Sequence, residues 1–457
     1  MPDAGTPDLL APLPSALPDP EHVARLPLGF RAGAATAGIK ASGKPDLSVV
    51  AAAHGPVPAA ATFTTNRFAS APVLLSREHL AATEPDGGGG YGSVAALLST
   101  SGCANAATGS AGLADQRDLA AALAVSLGTT ADRTLAVSTG LIGTRLPVEK
   151  VAPAIARLVA DGLRADDAAF ADVAEALRTT DSRPKWATVR CELPGPDGRS
   201  VGVTVSGVAK GVGMIHPRMA TMLAYVLTDA AVAPDALHRL LRPIVARTWD
   251  QLSVDGDTST SDTVFLLASG AAGAAPVTEG TAAWAVLSRA VEAVARSLAR
   301  QQASDGEGAN SLLTCQVSGA ADDVDARALA RAGSLSPLVK AAVHGRDPNW
   351  GRIAGALGNA QVADAAVLEA AGLSPAAAAA RAGRRVDLDQ DAVRIAIAGT
   401  AVFAGTPLPF DKAAVRDAMA ADEVLIRVSV GDGPGVGEAF GCDLSEEYVI
   451  ENSEYST

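Results

Sequence analysis

Apolar residues recur along the chain in two rhythms, and the changes between them outline alternating strands and helices. Leu237, Leu240, Leu241, Ile244, Val245 and Trp249 stand at i, i+3, i+4, i+7, i+8 and i+12, a spacing that puts all six on one face of an α-helix. Leu287, Val291, Val294 and Leu298 repeat it, as does the stretch 147–163, and further helices are expected around Arg327 and Val339. The second rhythm has period two. Val201, Val203 and Val205 alternate with Gly202, Thr204 and Ser206, which predicts a half-buried strand. Short apolar runs at SVVAAA (48–53), VAALLST (94–100) and LLTCQV (312–317) read as buried strands, and TLAVSTG (134–140) as a strand ending in a glycine turn. PDGGGGYG (85–92) reads as a loop, since consecutive glycines suit neither a strand nor a helix interior. Paired strands are expected near 393–403, then a helix and strand over 413–430. Residues 1–25 hold six prolines and little periodicity, which predicts a tail outside the core. The pattern as a whole predicts an α/β fold of sheets covered by helices, without a solenoid repeat.

Composition narrows the function. With 37 basic and 50 acidic residues the formal charge is −13, which speaks against a nucleic-acid or anionic-membrane partner. A hydrophobic content of 48% supports a large core, built mainly of Ala, Val and Leu because aromatics make up 4%. Cys103, Cys191, Cys315 and Cys442 lack CxxC spacing, and the six histidines lack HxxxH or HExxH spacing, so no disulfide framework or metal centre is expected. No apolar run has the length of a membrane span, and the proline-rich, acidic start does not read as a secretory signal. A soluble cytoplasmic protein is expected. Arginine dominates the basic residues, with seven lysines in all, so each lysine is a candidate for a particular role.

The stretch AKGVGMIHPRMATMLAYVLTDA (209–230) carries the most chemistry. A loop with Gly211, Gly213 and Pro217 gives way at Thr221 to TMLAYVL, apolar on both faces and expected to be a buried strand. Taken alone, Thr221 is an ordinary β-branched strand residue. The stretch resembles the processing and nucleophile motif of the ornithine acetyltransferase (glutamate N-acetyltransferase) family. So, in order, do GFRAGAATAGIKASGKPDL (29–47), FTTNRFASAPV (63–73), SGCANAATG (101–109), STGLIG (138–143), TTDSRPK (179–185), SVDGDTSTSDT (253–263), SDGEGAN (304–310), HGRDPNWGRI (344–353) and CDLSEEYVIENSEYST (442–457).

The resemblance implies autocatalytic cleavage between Ala220 and Thr221, which divides the protein into 26–220 and 221–457 after the tail. It implies a layered α/β/β/α fold and a heterotetramer of two chains of each kind. Thr221 is then the nucleophile, and its freed α-amino group, with a reference pKa of about 7.7–8.0, can serve as base. Thr139 and Gly140 are implied to form the oxyanion hole. Thr179, Lys210, Glu307, Asn452 and Thr457, with Thr221, are implied substrate contacts; Lys210 suits a carboxylate and Glu307 an ammonium. A solvated residue is the usual reading of a lysine, but the apolar flanks of Lys210 favour the functional one; taken alone, Glu307 reads as a loop acid and Thr139–Gly140 as a strand-ending turn. Asp255, Asp257 and Asp262 lack EF-hand spacing and read as a hydrogen-bonded turn.

The implied reaction moves an acetyl group from N-acetylornithine to glutamate without metal or organic cofactor, with acetyl-CoA as a further donor to be tested. Two alternatives share the sequence features: a self-processing aminopeptidase or amidase, in which water takes the acyl group, and an unprocessed binding protein. Five residues in three segments depart from the family pattern. His216 and Arg218 flank Pro217, Cys103 stands where relatives often carry Asn, and Ile450 and Glu451 exchange the usual polar and apolar order.

Overall fold

A computed structural model describes residues 9–10, 12–13, 15–216 and 222–453. It divides into two compact units, one of Leu17–Val245 and Asp257–Leu298, the other of Met1–Ala16, Ala246–Gly256 and Ala299–Thr457. The cleavage point expected at 220/221 falls within the first unit and outside the described residues.

The first unit holds two sheets. One runs Phe30–Ala35, Leu47–Ala52, Ala96–Cys103, Thr134–Leu141, antiparallel except for its last pair. The other runs Tyr91–Val94, Val57–Phe63, Thr263–Ala268, Leu223–Thr228, Ser200–Lys210, Lys185–Pro194. Alternation explains how they pack. Leu47, Val49, Leu98 and Ala136 point to one side of the first sheet, against Leu119 and Leu123 of helix Gly109–Leu127 and Val151 and Ile155 of helix Val148–Asp161. Their neighbours Val50, Leu97, Leu135 and Val137 point to the other side and share a core with Phe63, Tyr225, Leu227 and Phe265 of the second sheet. Both faces are buried, so these strands read in the sequence as continuous apolar runs. Phe170 and Val173 of helix Asp167–Leu177 complete this core. Each large apolar side chain so buried contributes roughly 1.5–3 kcal/mol. On the outer face of the second sheet, Gly207 lets helix Ala282–Ser304 approach, since a Cβ there would lie 2.9 Å from Leu298 and 3.0 Å from Val294. The layers are therefore α/β/β/α, as expected.

The second unit is a seven-stranded mixed sheet, ordered Leu252–Ser253, Gly433–Cys442, Leu312–Gly319, Glu423–Ser429, Arg394–Ile397, Thr400–Ala404, Thr406–Pro407. Leu329, Val339, Val343 and Ile353, from helices Asp323–Leu335, Pro337–His344 and Trp350–Leu357, pack on it.

Three expectations change. Residues 17–25 are not a tail outside the core: Glu21 and Thr188 exchange backbone hydrogen bonds at 2.8 and 2.9 Å, and Ala24 is buried in the shared core. The edge strand Lys185–Pro194 offers unpaired backbone groups that this segment satisfies despite its prolines. The glycine loop is shorter than predicted, because Tyr91–Val94 pairs with Val57–Phe63 and draws its end into the sheet. The strand expected to open at Thr221 begins at Leu223 among the described residues. No described helix is long and apolar enough to cross a membrane.

Candidate active site

The parallel pair Ala96–Cys103 and Thr134–Leu141 aligns Ser101 with Thr139 and Gly102 with Gly140. A Cβ on Gly140 would sit 2.3 Å from the Gly102 carbonyl carbon and 2.6 Å from the Cys103 nitrogen, and φ there is +127°. Glycine is the residue that permits this close approach. It leaves Thr139 buried, at 1% exposure, at the carboxyl end of its strand.

Lys210, at the end of the antiparallel strand Ser200–Lys210, is 3% exposed and donates from Nζ to Thr139 Oγ1 at 3.2 Å. It is therefore not a solvated lysine. An ammonium has only hydrogens to offer, so the Thr139 oxygen must accept and its own hydroxyl hydrogen points elsewhere. Asp181 supplies buried negative charge: Oδ1 accepts from Lys185 Nζ at 2.6 Å and from the Gly211 N–H at 2.8 Å, and Oδ2 from the Thr179 N–H at 3.1 Å. Burial pushes the Asp181 carboxyl up, but the charges of Lys210 and Lys185 and the Gly211 N–H outweigh it and hold the group well below the usual carboxylate range. Lys40 is a further cation close by. Its Nζ donates to the Pro45 and Ala176 carbonyls at 2.7 and 3.3 Å, and burial, opposed by Asp46, brings its pKa down to about 8.

Thr221 and Ala220 lie outside the described residues. The next residue, Met222, donates its backbone N–H to Asp262 Oδ1 at 3.0 Å, and Leu223 is the strand partner of Lys210. Asp262 thus caps the start of the strand that Thr221 precedes, in keeping with a hydrogen-bonding role. Its loop is fastened by Thr64 Oγ1 to the Ser259 carbonyl at 2.6 Å and by Asn66 Nδ2 to the Thr258 carbonyl at 2.9 Å.

The second unit holds the remaining expected contacts. Asn452, on the final helix Glu446–Ser453, donates from Nδ2 to Glu307 Oε2 at 3.0 Å. Thr457 lies outside the described residues. Ile450 is 67% exposed, so the exchanged order at 450 and 451 leaves an apolar side chain facing water.

A family model for ArgJ matches residues 31–457. The chain belongs to the ArgJ family. It is 42% identical over 435 residues to the arginine biosynthesis bifunctional protein ArgJ of Thermus thermophilus, covering 95% of this chain and 99% of that protein. Identity to the ArgJ protein of Deinococcus radiodurans is 42% over 431 residues, covering 94% and 97%. Among solved structures it is similar to the ArgJ protein of Bacillus halodurans, at 34% identity and a TM-score of 0.44 over 50% of this chain and 97% of that one. For ornithine acetyltransferase complexed with ornithine from Mycobacterium tuberculosis the values are 35%, 0.36, 43% and 95%.

For this ArgJ family member, the sequence motifs contained residues whose roles the pattern did not disclose. Asp181, Lys185 and Lys40 sit inside TTDSRPK and GIKASGKPDL, and the available signal was an Asp followed by Lys at i+4 in a lysine-poor chain. Asp181→Asn should leave Lys185 and Lys210 with less compensation in a buried site, costing roughly 3–5 kcal/mol of stability. Thermal unfolding at neutral pH checks this. The depressed pKa also means that the stabilisation from Asp181 is present above the unfolded carboxylate pKa and is lost as pH falls through the folded value. The difference between wild type and variant should therefore shrink in acid.

Proposed function

We propose that the chain, an enzyme of the glutamate N-acetyltransferase type by its ArgJ membership, transfers acetyl from N-acetylornithine to glutamate through an acetyl-Thr221 intermediate. Cleavage before Thr221 begins the sequence: its Oγ attacks the Ala220 carbonyl, the C–N bond breaks and frees the α-amine, and water then hydrolyses the resulting ester, leaving the Ala220 carboxylate and restoring the Thr221 hydroxyl. In the first half-reaction that amine takes the Thr221 hydroxyl proton as Oγ attacks the acetyl carbonyl, then returns the proton to the departing ornithine nitrogen. Glutamate's amine next attacks the ester, yielding N-acetylglutamate and restoring Thr221. Each tetrahedral intermediate carries an oxyanion, for which Thr139 Oγ and the Gly140 N–H are the proposed donors.

The observation that carries this reading is the buried Lys210–Thr139 hydrogen bond, which leaves the Thr139 hydroxyl able to donate. The cations Lys185 and Lys210 beside Asp181, with Lys40 near Lys210, suit substrates that bear carboxylates. Glu307 and Asn452 are proposed as further substrate contacts, and the processed chains as a heterotetramer, which native mass measurement tests. Incubation with N-acetylornithine and glutamate should yield ornithine and N-acetylglutamate. Ornithine and acetate with no N-acetylglutamate would instead mark a hydrolase. A parallel reaction with acetyl-CoA and glutamate decides whether that donor is used.

Deleting Glu454–Thr457 should leave folding and cleavage intact while raising KM about fivefold, the scale of one or two lost hydrogen bonds. Steady-state kinetics with both substrates measures it.

A further inference from the structure

We infer that His344 is a positioning residue that clamps the SDGEGAN loop to the final helix and thereby sets the Glu307–Asn452 pair. This inference rests on Glu307 and Asn452 being substrate contacts.

His344 ends helix Pro337–His344 and uses both ring nitrogens. Nδ1 lies 2.9 Å from Asp443 Oδ2, and Nε2 lies 3.1 Å from Glu446 Oε2. The two acids govern different elements. Asp443 is 3% exposed, and its Oδ1 accepts the backbone N–H groups of Asn310 and Ser311 at 2.7 and 3.0 Å. Asn310 Nδ2 adds a bond to Oδ2 at 3.3 Å. Asp443 therefore fixes the end of the loop that carries Glu307. Glu446 stands in the first turn of the helix that carries Asn452, where a carboxylate also suits the helix dipole.

Loop and helix meet directly as well. Ser445 Oγ donates to the Gly308 carbonyl at 2.6 Å, and a Cβ on Gly308 would lie 2.3 Å from the Tyr448 nitrogen. Gly308 has φ of +67°. Its lack of a side chain is what lets the helix start rest against the loop. His344 bridges Asp443, which holds the loop, and Glu446, which opens the helix, and HGRDPNWGRI thus acquires a role.

Two carboxylates on two ring nitrogens require two N–H donors, which is the imidazolium form. The bond to Asp443 raises the His344 pKa; burial opposes it, and the charges of Asp443 and Glu446 add to the rise. A helix C-terminus favours the cation too. Lys340, one turn earlier on the same helix, is committed to the carbonyls of Val254, Cys442 and Ser253 at 2.9, 2.9 and 3.3 Å. The clamp is therefore complete below the folded pKa and loses one bond as pH rises through it. A neutral ring keeps the buried acid, and the exposed Glu446 is released to water.

The test is KM for N-acetylornithine at about pH 6 and about pH 9, with kcat and self-cleavage followed in parallel. In wild type KM should rise about fivefold across this range, the upper scale of one solvent-exposed ion pair. His344→Gln should hold KM at its high-pH value throughout, with kcat and cleavage little changed. Glu446→Ala alters an exposed residue, so it should fold, and it should flatten the profile in the same way. A wild-type profile in either variant overturns the clamp. Glu307→Gln separates the two levels of inference: unchanged KM there refutes the substrate contact itself. A raised KM in Glu307→Gln beside wild-type behaviour in His344→Gln refutes the clamp alone.

Discussion

Purified Thr221→Ala is expected to remain one chain of 45.7 kDa and to transfer no acetyl group. Both losses have one origin. Cleavage needs a hydroxyl to attack the Ala220 carbonyl, and transfer needs the same hydroxyl to carry the acetyl, so a methyl group removes two reactions at once. The decrease in kcat should be on the order of 10⁶, the scale seen when a nucleophile is deleted. Thr221→Ser keeps the hydroxyl and should still cleave. Asp262 and Lys210 hold the following residues through Met222 and Leu223 without using the Thr221 side chain. Folding should therefore survive the substitution, and a circular dichroism spectrum like that of wild type separates lost chemistry from lost structure. The decisive readout is N-terminal sequencing of the C-terminal wild-type fragment. Any first residue other than Thr221 removes the nucleophile assignment.

Much of the fold was legible because its strands have apolar surroundings on both faces. Leu47 and Val49 face one helix layer while Val50 faces the second sheet, and both environments are apolar, so SVVAAA announces a buried strand. The docking of residues 17–25 was hidden for the opposite reason: Glu21 joins Thr188 through backbone atoms, which leave no mark on side-chain pattern. At the site, Thr139, Gly140 and Lys210 were singled out by resemblance, and the structure adds the bond between Thr139 and Lys210. Asp181 escaped because its importance lies in burial beside two lysines 4 and 29 residues away in sequence, a property of packing rather than of spacing. The paired carboxylates on His344 likewise lie about 100 residues from it, brought together by the seven-stranded sheet.

Removing the Thr139 hydroxyl should lower kcat by about 10²–10³ with little change in KM, because an oxyanion donor acts on charge that exists only in the transition state. Valine is the better probe than alanine, since it keeps the branched shape at a site that is 1% exposed. Lys210 complicates the interpretation. Its Nζ donates to Thr139 Oγ1, so Thr139→Val takes an acceptor from a buried ammonium, at a cost of about 1–3 kcal/mol for an unsatisfied group. That cost appears in thermal stability and is measurable apart from the kinetics. Thr139→Ser restores the oxygen, and should recover both stability and most of kcat. If Lys210 also holds a substrate carboxylate, the two roles divide cleanly: a Lys210 displaced in Thr139→Val would raise KM, whereas a missing oxyanion donor lowers kcat alone. A large rise in KM at unchanged kcat would therefore show Thr139 to be a support for Lys210 rather than a donor to the oxyanion. The Gly140 N–H would then be left as the proposed donor, on a strand end that Gly102 already allows to approach within contact distance.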